Sequence, residues 1–134
     1  MAAGQQRLAS AAPLAHRPVF QAGLARAEAR WRSARLLCHA AFGELYESQS
    51  SAGRVTLEQR ARVAQAAVNA AEASAAAAEF ALRSAGATAV YRSGVLQRCL
   101  RDIRTGMQHI AVSEEVWERV GAVRLGLARE PFMV

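Results

Sequence analysis

A long apolar stripe near the start of the sequence decides what kind of fold the chain can form. Its members alternate in steps of four and three residues: Phe20, Leu24, Ala27, Trp31, Ala34, Cys38, Ala41 and Leu45. This is the spacing of a helix that packs side by side with other helices. Pro18 suits the first turn of that helix, and the serine- and glycine-rich run 47–54 predicts its end. Arg26, Arg30 and Glu44 fall on the opposite, solvated face.

A second helix is predicted with signals at both ends. Thr56 and Gln59 have the spacing of a capping box, and Gly86 stands where a helix ends in a left-handed residue. Alanine, the best helix former, dominates the residues between. The positions expected to face inward are Val63, Ala66, Ala70, Ala77, Phe80 and Ala81. Since small side chains let helix backbones approach closely, this helix is expected at the centre of a bundle.

The rest of the sequence predicts two further helices and no strand. The expected elements are an extended loop through Val90, Tyr91 and Gly94, a short helix Leu96–Arg104, a loop around Gly106, and a last helix from about Ile110 to Leu127. The predicted fold class is therefore all-α, an up-and-down helical bundle. The bundle is expected over residues 18–134, and residues 1–17 are interpreted as a mobile N-terminal tail or a frayed helical remnant.

Composition and charge restrict the function classes. Hydrophobic residues make up 52% and charged residues 21%, as in a folding chain. The net charge is +6, but every basic residue is an arginine, and the arginines are spread from Arg7 to Arg129 among glutamates. Because nucleic-acid binders cluster their basic residues on one face, nucleic acid or another polyanion is the lesser alternative.

The remaining residue patterns favour a cytoplasmic protein without a metal site. No apolar run is long enough to span a membrane, and residues 1–14 do not resemble a secretory signal. Cys38 and Cys99 are far apart and are expected to be reduced. His16 and His39 have no companions at metal-ligand spacing.

The stretch Leu82–Trp117 carries the specific motifs. It reads LRSAGATAVYRSGVLQRCLRDIRTGMQHIAVSEEVW, with a helix end at Ala85-Gly86, an LxR-x-x-RD helix from Leu96 to Asp102, and the run 107–110, MQHI, similar to TQHI. This combination resembles the C-terminal domain of the acyl-CoA dehydrogenase superfamily. The likeness is closest to the two-component flavin-dependent monooxygenase (hydroxylase) branch. The preceding hairpin, about 19–85, also fits that family's bundle.

The resemblance implies a role in flavin chemistry. It implies a bundle that contributes oligomerisation and part of a site for FAD or FMN, with Gly86, Arg98 and Gln108 as cofactor-binding residues. It further implies that His109 acts as base or hydrogen-bond donor while an aromatic or similar substrate is hydroxylated; an imidazole suits proton handling at neutral pH. The residues alone also allow Gly86 as a helix stop, Arg98 on a solvated face and His109 as a cap. Arg101-Asp102 is interpreted as a tether to the bundle.

The sequence departs from the family pattern in two ways. Dehydrogenases of the superfamily carry a catalytic glutamate just after the RD helix, but residues 108–111 contain no carboxylate, which argues against proton abstraction from an acyl-CoA. Nothing corresponds to the family's N-terminal helical domain, its central β domain or the first helix of its bundle. An apolar groove along Phe20, Leu24 and Trp31 is therefore expected, to be filled by a second copy or by flavin-binding domains on another chain. The alternative is a non-catalytic helical oligomerisation module, so the sequence leaves open whether the chain is an enzyme.

Overall fold

The computed structural model describes residues 13–50, 53–90 and 94–128. Four α-helices occupy most of these ranges: α1 (Pro18–Ser50), α2 (Leu57–Ala85), α3 (Val95–Gly106) and α4 (Glu114–Arg124). Three short 3₁₀-helices, Leu14–His16, Gly86–Val90 and Ile110–Val112, lie between or before them. No strand occurs in the described ranges, and the predicted all-α bundle is confirmed. No helix in these ranges is long and apolar enough to cross a membrane.

The two long helices begin and end as the sequence predicts. Thr56 caps α2: its hydroxyl accepts a hydrogen bond from the Gln59 backbone N–H, and its own N–H donates to the Gln59 side chain. Gly86 ends α2 with a φ of 67°, a left-handed value that costs glycine little.

Two predicted elements differ from the structure. The expected loop begins as the 3₁₀-helix Gly86–Val90 instead, and Tyr91 lies outside the described residues. The expected last helix is interrupted at Ser113, whose backbone is extended (φ −79°, ψ 164°) and whose hydroxyl donates to the Ile110 carbonyl. Helix α4 begins after this extended residue, and the Ser113 side chain makes no capping hydrogen bond to it.

The last residues of the predicted tail have a defined position. Leu14 is buried, and Leu14–His16 form a 3₁₀ turn directly before α1. The Gln21 side chain donates to the Ala15 carbonyl at 2.9 Å, which fixes the turn to the first turns of α1. Residues 1–12 lie outside the described part of the chain.

Helix α1 packs antiparallel to α2. Ala41 of α1 is buried with Val63 and Ala66 of α2, and the Cys38 thiol donates to the Ala66 carbonyl at 3.3 Å. At the other end of the pair, Phe20 stacks on Phe80 with ring centroids 5.6 Å apart. Members of the predicted stripe therefore hold the two helices together at both ends of the pair, whereas Leu24 and Trp31 between them stay exposed.

Helix α2 also carries the other helices, as expected of a central helix. Val116 and Val120 of α4 are buried with Ala61, Ala64 and Val68 of α2. The indole N–H of Trp117 donates to the Glu72 carboxylate at 2.8 Å. Helix α3 packs on the later part of α2 and buries Leu100.

Ion pairs join α1, α2 and α4 near the start of α2. Arg62 lies 2.7 Å from Glu44 of α1 and 3.7 Å from Glu58, and Arg124 of α4 also pairs with Glu58. All four side chains are more than 40% exposed. Exposed pairs contribute at most about 1 kcal/mol each, so the alanine and valine packing is the main stabilising term.

Substitutions at two adjacent alanines test the close packing of α1 on α2. Ala41 is 5% exposed in the core, whereas Ala40 is exposed. Ala41→Leu is expected to overpack the interface and lower the free energy of unfolding by about 1–3 kcal/mol. Ala40→Leu is expected to change it by less than about 0.5 kcal/mol. Urea denaturation followed by circular dichroism measures both; equal effects would contradict this packing.

Candidate functional site

Helix α3 and the turn after it hold three of the four predicted site residues. The helix begins after Gly94, whose carbonyl accepts the Arg98 N–H at 3.1 Å. Leu100 points into the bundle, and Arg98 lies on the exposed side. The helix thus presents its polar face outward while its apolar face fixes it to α2.

An ion pair fastens the end of α3 to α2. The Arg104 guanidinium lies 2.6 Å from the Glu79 carboxylate. The sequence interpretation gave this tethering role to Arg101-Asp102; that assignment was wrong, because Arg104 makes the ion pair with α2. Arg101 and Arg104 lie three residues apart and share a helix face, and Arg104 is the one nearer the end of α3. Sequence spacing alone did not show which of the three arginines would meet a glutamate 25 residues away.

The Arg104–Glu79 pair predicts a pH dependence. The hydrogen bond and the positive charge of Arg104 hold the pKa of Glu79 below its usual value. A carboxyl with a lowered pKa in the folded state stabilises the fold above its unfolded pKa, and this contribution is lost as the pH falls through the folded pKa. Glu79→Gln is therefore expected to lower the unfolding temperature at neutral pH, and the difference from the native chain should close in acid. Thermal unfolding of the native chain and of Glu79→Gln, followed at several pH values from neutral to acidic, measures this difference in unfolding temperature.

Glu118→Gln is the matched control for that experiment. Glu118 is an exposed glutamate on α4, away from Arg104. The same loss of unfolding temperature in both variants, or a Glu79→Gln effect that does not change with pH, would contradict the tether.

His109 is held in one orientation by the backbone after it. The Nδ1 atom of its ring accepts a hydrogen bond from the Ala111 backbone N–H at 3.2 Å. The backbone N–H of His109 donates to the Gly106 carbonyl. Since Nδ1 acts as acceptor, the neutral ring carries its proton on Nε2. The side chain is exposed. His109 therefore caps the 3₁₀-helix Ile110–Val112, as the residues alone allowed, and its Nε2 takes no part in that cap.

Gln108 lies beside a shallow depression along α3. The depression has a volume of about 480 Å³. Its lining residues are Gln97, Leu100, Arg101, Arg104, Thr105 and Gln108. Arg98 and His109 are not among them. Arg98 and Gln108 are ten positions apart, or about 15 Å along a helix.

Gly86 lies at the other end of this region, between α2 and α3. With a φ of 67° and a ψ of −147° it adopts a conformation that is essentially restricted to glycine. This conformation is explained by the role of Gly86 as the residue that ends α2, and it does not require a bound ligand. The predicted site residues thus lie along one continuous segment, 86–109, but the structure does not bring them into one enclosed pocket.

Comparison with known proteins decides the family. The family model described as acyl-CoA dehydrogenase, C-terminal domain, matches residues 1–114. The chain belongs to this family. The superfamily predicted from the motifs of Leu82–Trp117 is thereby confirmed, and the bundle described above is the form this family's C-terminal domain takes in this chain.

One curated relative extends the family assignment. The chain is 29% identical over 126 residues to indole-3-acetate monooxygenase from Pseudomonas putida. The match covers 94% of this chain but only 32% of that protein. The chain thus spans about a third of the relative's length. The relative is a monooxygenase, in line with the branch predicted from the sequence.

The exposed residues of α3 and its turn fit one wall of a flavin site. The Arg98 guanidinium suits a phosphate, and the Gln108 amide and His109 Nε2–H are donors that suit the ring or the substrate. All three side chains are exposed. Within the described residues no group of three His, Cys, Asp or Glu side chains could hold a metal ion. The free thiols, half-buried Cys38 and exposed Cys99, lie outside this group of residues.

Proposed function

We propose that this chain is the C-terminal helical portion of a flavin-dependent monooxygenase or oxidoreductase, and that it contributes oligomerisation and part of a site for FAD or FMN. The observation that carries the proposal is the exposed edge formed by Arg98, Gln108 and His109. These are donor side chains that suit a ligand with a phosphate at one end and a ring at the other. The membership of the family and the monooxygenase relative support the same conclusion.

Each residue on this edge has a distinct task. Arg98 binds a flavin phosphate through charge-assisted hydrogen bonds. Gln108 donates to the flavin ring. His109, with Nδ1 engaged by Ala111, donates from Nε2 to an oxygen of the substrate and orients it. Bound in reduced form, the flavin supplies two electrons, so that one atom of dioxygen enters the substrate and the other leaves as water.

The opposite wall of the site comes from a second copy or from flavin-binding domains on another chain. The exposed apolar side chains of α1 support such a contact: Val19, Leu24, Trp31, Leu36, Leu37, Phe42 and Tyr46 are all at least 40% exposed. Apolar surface on this scale is typical of interaction sites. Oligomerisation and the shared flavin site are therefore parts of one proposal.

Flavin titration of alanine variants tests the proposed edge. Arg98→Ala and Gln108→Ala are each expected to weaken binding of FAD or FMN, with Arg98→Ala losing about tenfold because a hydrogen bond to a charged group contributes about 1.5–3 kcal/mol. Arg26→Ala, an exposed arginine on the solvated face of α1, is the control for the loss of one positive charge. Flavin fluorescence quenching measures the dissociation constants. Equal affinities for the Arg98 and Arg26 variants would contradict the assignment of Arg98.

A further inference from the structure

An apolar groove runs between the first half of α1 and the last part of α2. Its volume is about 490 Å³. On the α2 side it is lined by the small residues Ala77, Ala81 and Ala85, and on the α1 side by Leu24 and Trp31, which are 51% and 43% exposed. A wall of alanines one turn apart lets another helix approach closely. The groove therefore has room for bulky apolar side chains from a further helix.

The second half of α1 carries bulky apolar side chains on the same side of the helix. Phe42 is 49% exposed and Tyr46 is 76% exposed. Phe42 lies about five helical turns after Leu24 and about three turns after Trp31, so the three residues share a face of α1. Tyr46 follows Phe42 by about one turn. One face of α1 therefore borders the groove in its first half and presents two exposed aromatic rings in its second half.

We propose that two copies of this chain pair their α1 helices antiparallel, so that Phe42 and Tyr46 of each copy fill the groove of the other. The contact rests on the oligomerisation that is part of the proposed function, and it is independent of the flavin site. Leu24 then lies opposite Phe42 of the second copy, and Phe20 lies opposite Tyr46 of the second copy. Both pairs have their midpoint at Ser33, as a contact with two-fold symmetry requires, because each pair then occurs twice.

The charged residues between these ends favour the antiparallel direction. Within one chain the Arg35 guanidinium lies 5.8 Å from the centre of the Trp31 ring, and Glu28 pairs with Arg32 at 2.9 Å. The proposed register places Arg35 of the second copy opposite Trp31 and about 4.5 Å along the helix from Glu28. An arginine is attracted both to an aromatic ring face and to a carboxylate. A parallel pair would instead place Arg35 opposite Arg35 and Glu28 opposite Glu28, and such like charges repel.

A second copy fits this surface because the surface is complementary to itself. The apolar groove and the aromatic rings that suit it lie on opposite halves of one helix. A single chain cannot make the contact, since α1 is continuous and Leu24 lies about 27 Å from Phe42 along it. A two-fold contact uses the same surface of both copies, with each half meeting the other. A second copy is therefore the occupant that the described residues favour over a different protein.

Disulfide formation between copies tests the register in the full chain. With Cys38 and Cys99 replaced by serine, chains carrying Leu24→Cys are mixed with chains carrying Phe42→Cys and are oxidised. The mixture should form a covalent dimer, because the proposed pairing brings these two positions within reach of a disulfide. Either variant alone should form a covalent dimer at least about tenfold more slowly, since the same position in the two copies is about 27 Å apart in the antiparallel pair.

Light scattering over a dilution series is the second measurement. Phe42→Ala should raise the dissociation constant of the dimer about tenfold, as truncation of an aromatic residue at the centre of a contact does. Val19→Ala, at a position that is 87% exposed and lies away from this face, should leave it unchanged, and circular dichroism should show equal helicity in both variants.

Three results would overturn the proposed contact. They are a native chain that is monomeric at every concentration, a mixture that forms the disulfide no faster than the single variants, and single variants that each cross-link readily, which would indicate a parallel pair. None of these measurements involves flavin. Failure of the contact is therefore distinguished from failure of the flavin site, which the titration of Arg98→Ala reports.

Discussion

Val68→Asp is expected to unfold the chain, whereas Val19→Asp should leave it folded. Val68 is 1% exposed and lies in the cluster that joins α2 to α4, with Val116 and Val120. A carboxylate at this position would be buried without a partner, which costs about 3–5 kcal/mol. Native domains have about 5–15 kcal/mol of stability in total, so a loss of this size removes most of the stability of a domain near the lower end of that range.

Val19→Asp is a control with the identical chemical change. Val19 is 87% exposed in the first turn of α1, where a negative charge interacts favourably with the helix dipole. Circular dichroism and urea titration measure both variants. A folded Val68→Asp chain with native stability would show that α4 does not pack on α2 as described.

If the chain serves the proposed function, His109→Ala is expected to reduce hydroxylation by the flavoprotein that contains it about 100-fold, the lower end of what a positioned proton donor contributes. The donor role also predicts an order among amide variants. In His109→Gln the amide nitrogen can replace Nε2, so this variant should retain more activity than His109→Asn, whose oxygen can replace only the Nδ1 acceptor that holds Ala111. Turnover with reduced flavin and oxygen is the measurement.

His16→Ala is the control for loss of an imidazole. His16 is exposed and lies before α1, outside the segment 86–109. If His109→Asn were more active than His109→Gln, the hydrogen bond between Nδ1 and Ala111 would be what activity depends on, and the Nε2 donor would not be needed for it. If His109→Ala matched His16→Ala, then His109 would have no part in the reaction.

The fold could be predicted from sequence because its signals are local. The capping box at Thr56 and Gln59 and the glycine at position 86 depend only on residues within one turn. The apolar stripe of α1 could be recognised from the spacing of its residues alone, and Ala34 and Ala41 are buried as that spacing predicts. The break at Ser113 was missed because the apolar residues on both sides continue the helical period while the serine starts a new helix.

The candidate site was predicted only in part, because it depends on contacts between distant residues. Motif resemblance indicated the segment that holds Arg98, Gln108 and His109. It did not show that Arg104 pairs with Glu79, nor that the His109 ring is fixed through Ala111. The first depends on how α3 is rotated against α2, and the second on a 3₁₀ turn that the sequence predicted as regular α-helix.

Size-exclusion chromatography with light scattering, recorded with flavin absorbance after FAD or FMN is added, tests the proposed flavin site. We expect a defined oligomer of the purified chain that carries flavin absorbance through the column, because the proposed site on the exposed edge of α3 is completed at a contact between chains. A chain that elutes without flavin absorbance, whether as a monomer or as a defined oligomer, would contradict a flavin site formed between copies of this chain; the colourless oligomer would favour a non-catalytic helical oligomerisation module.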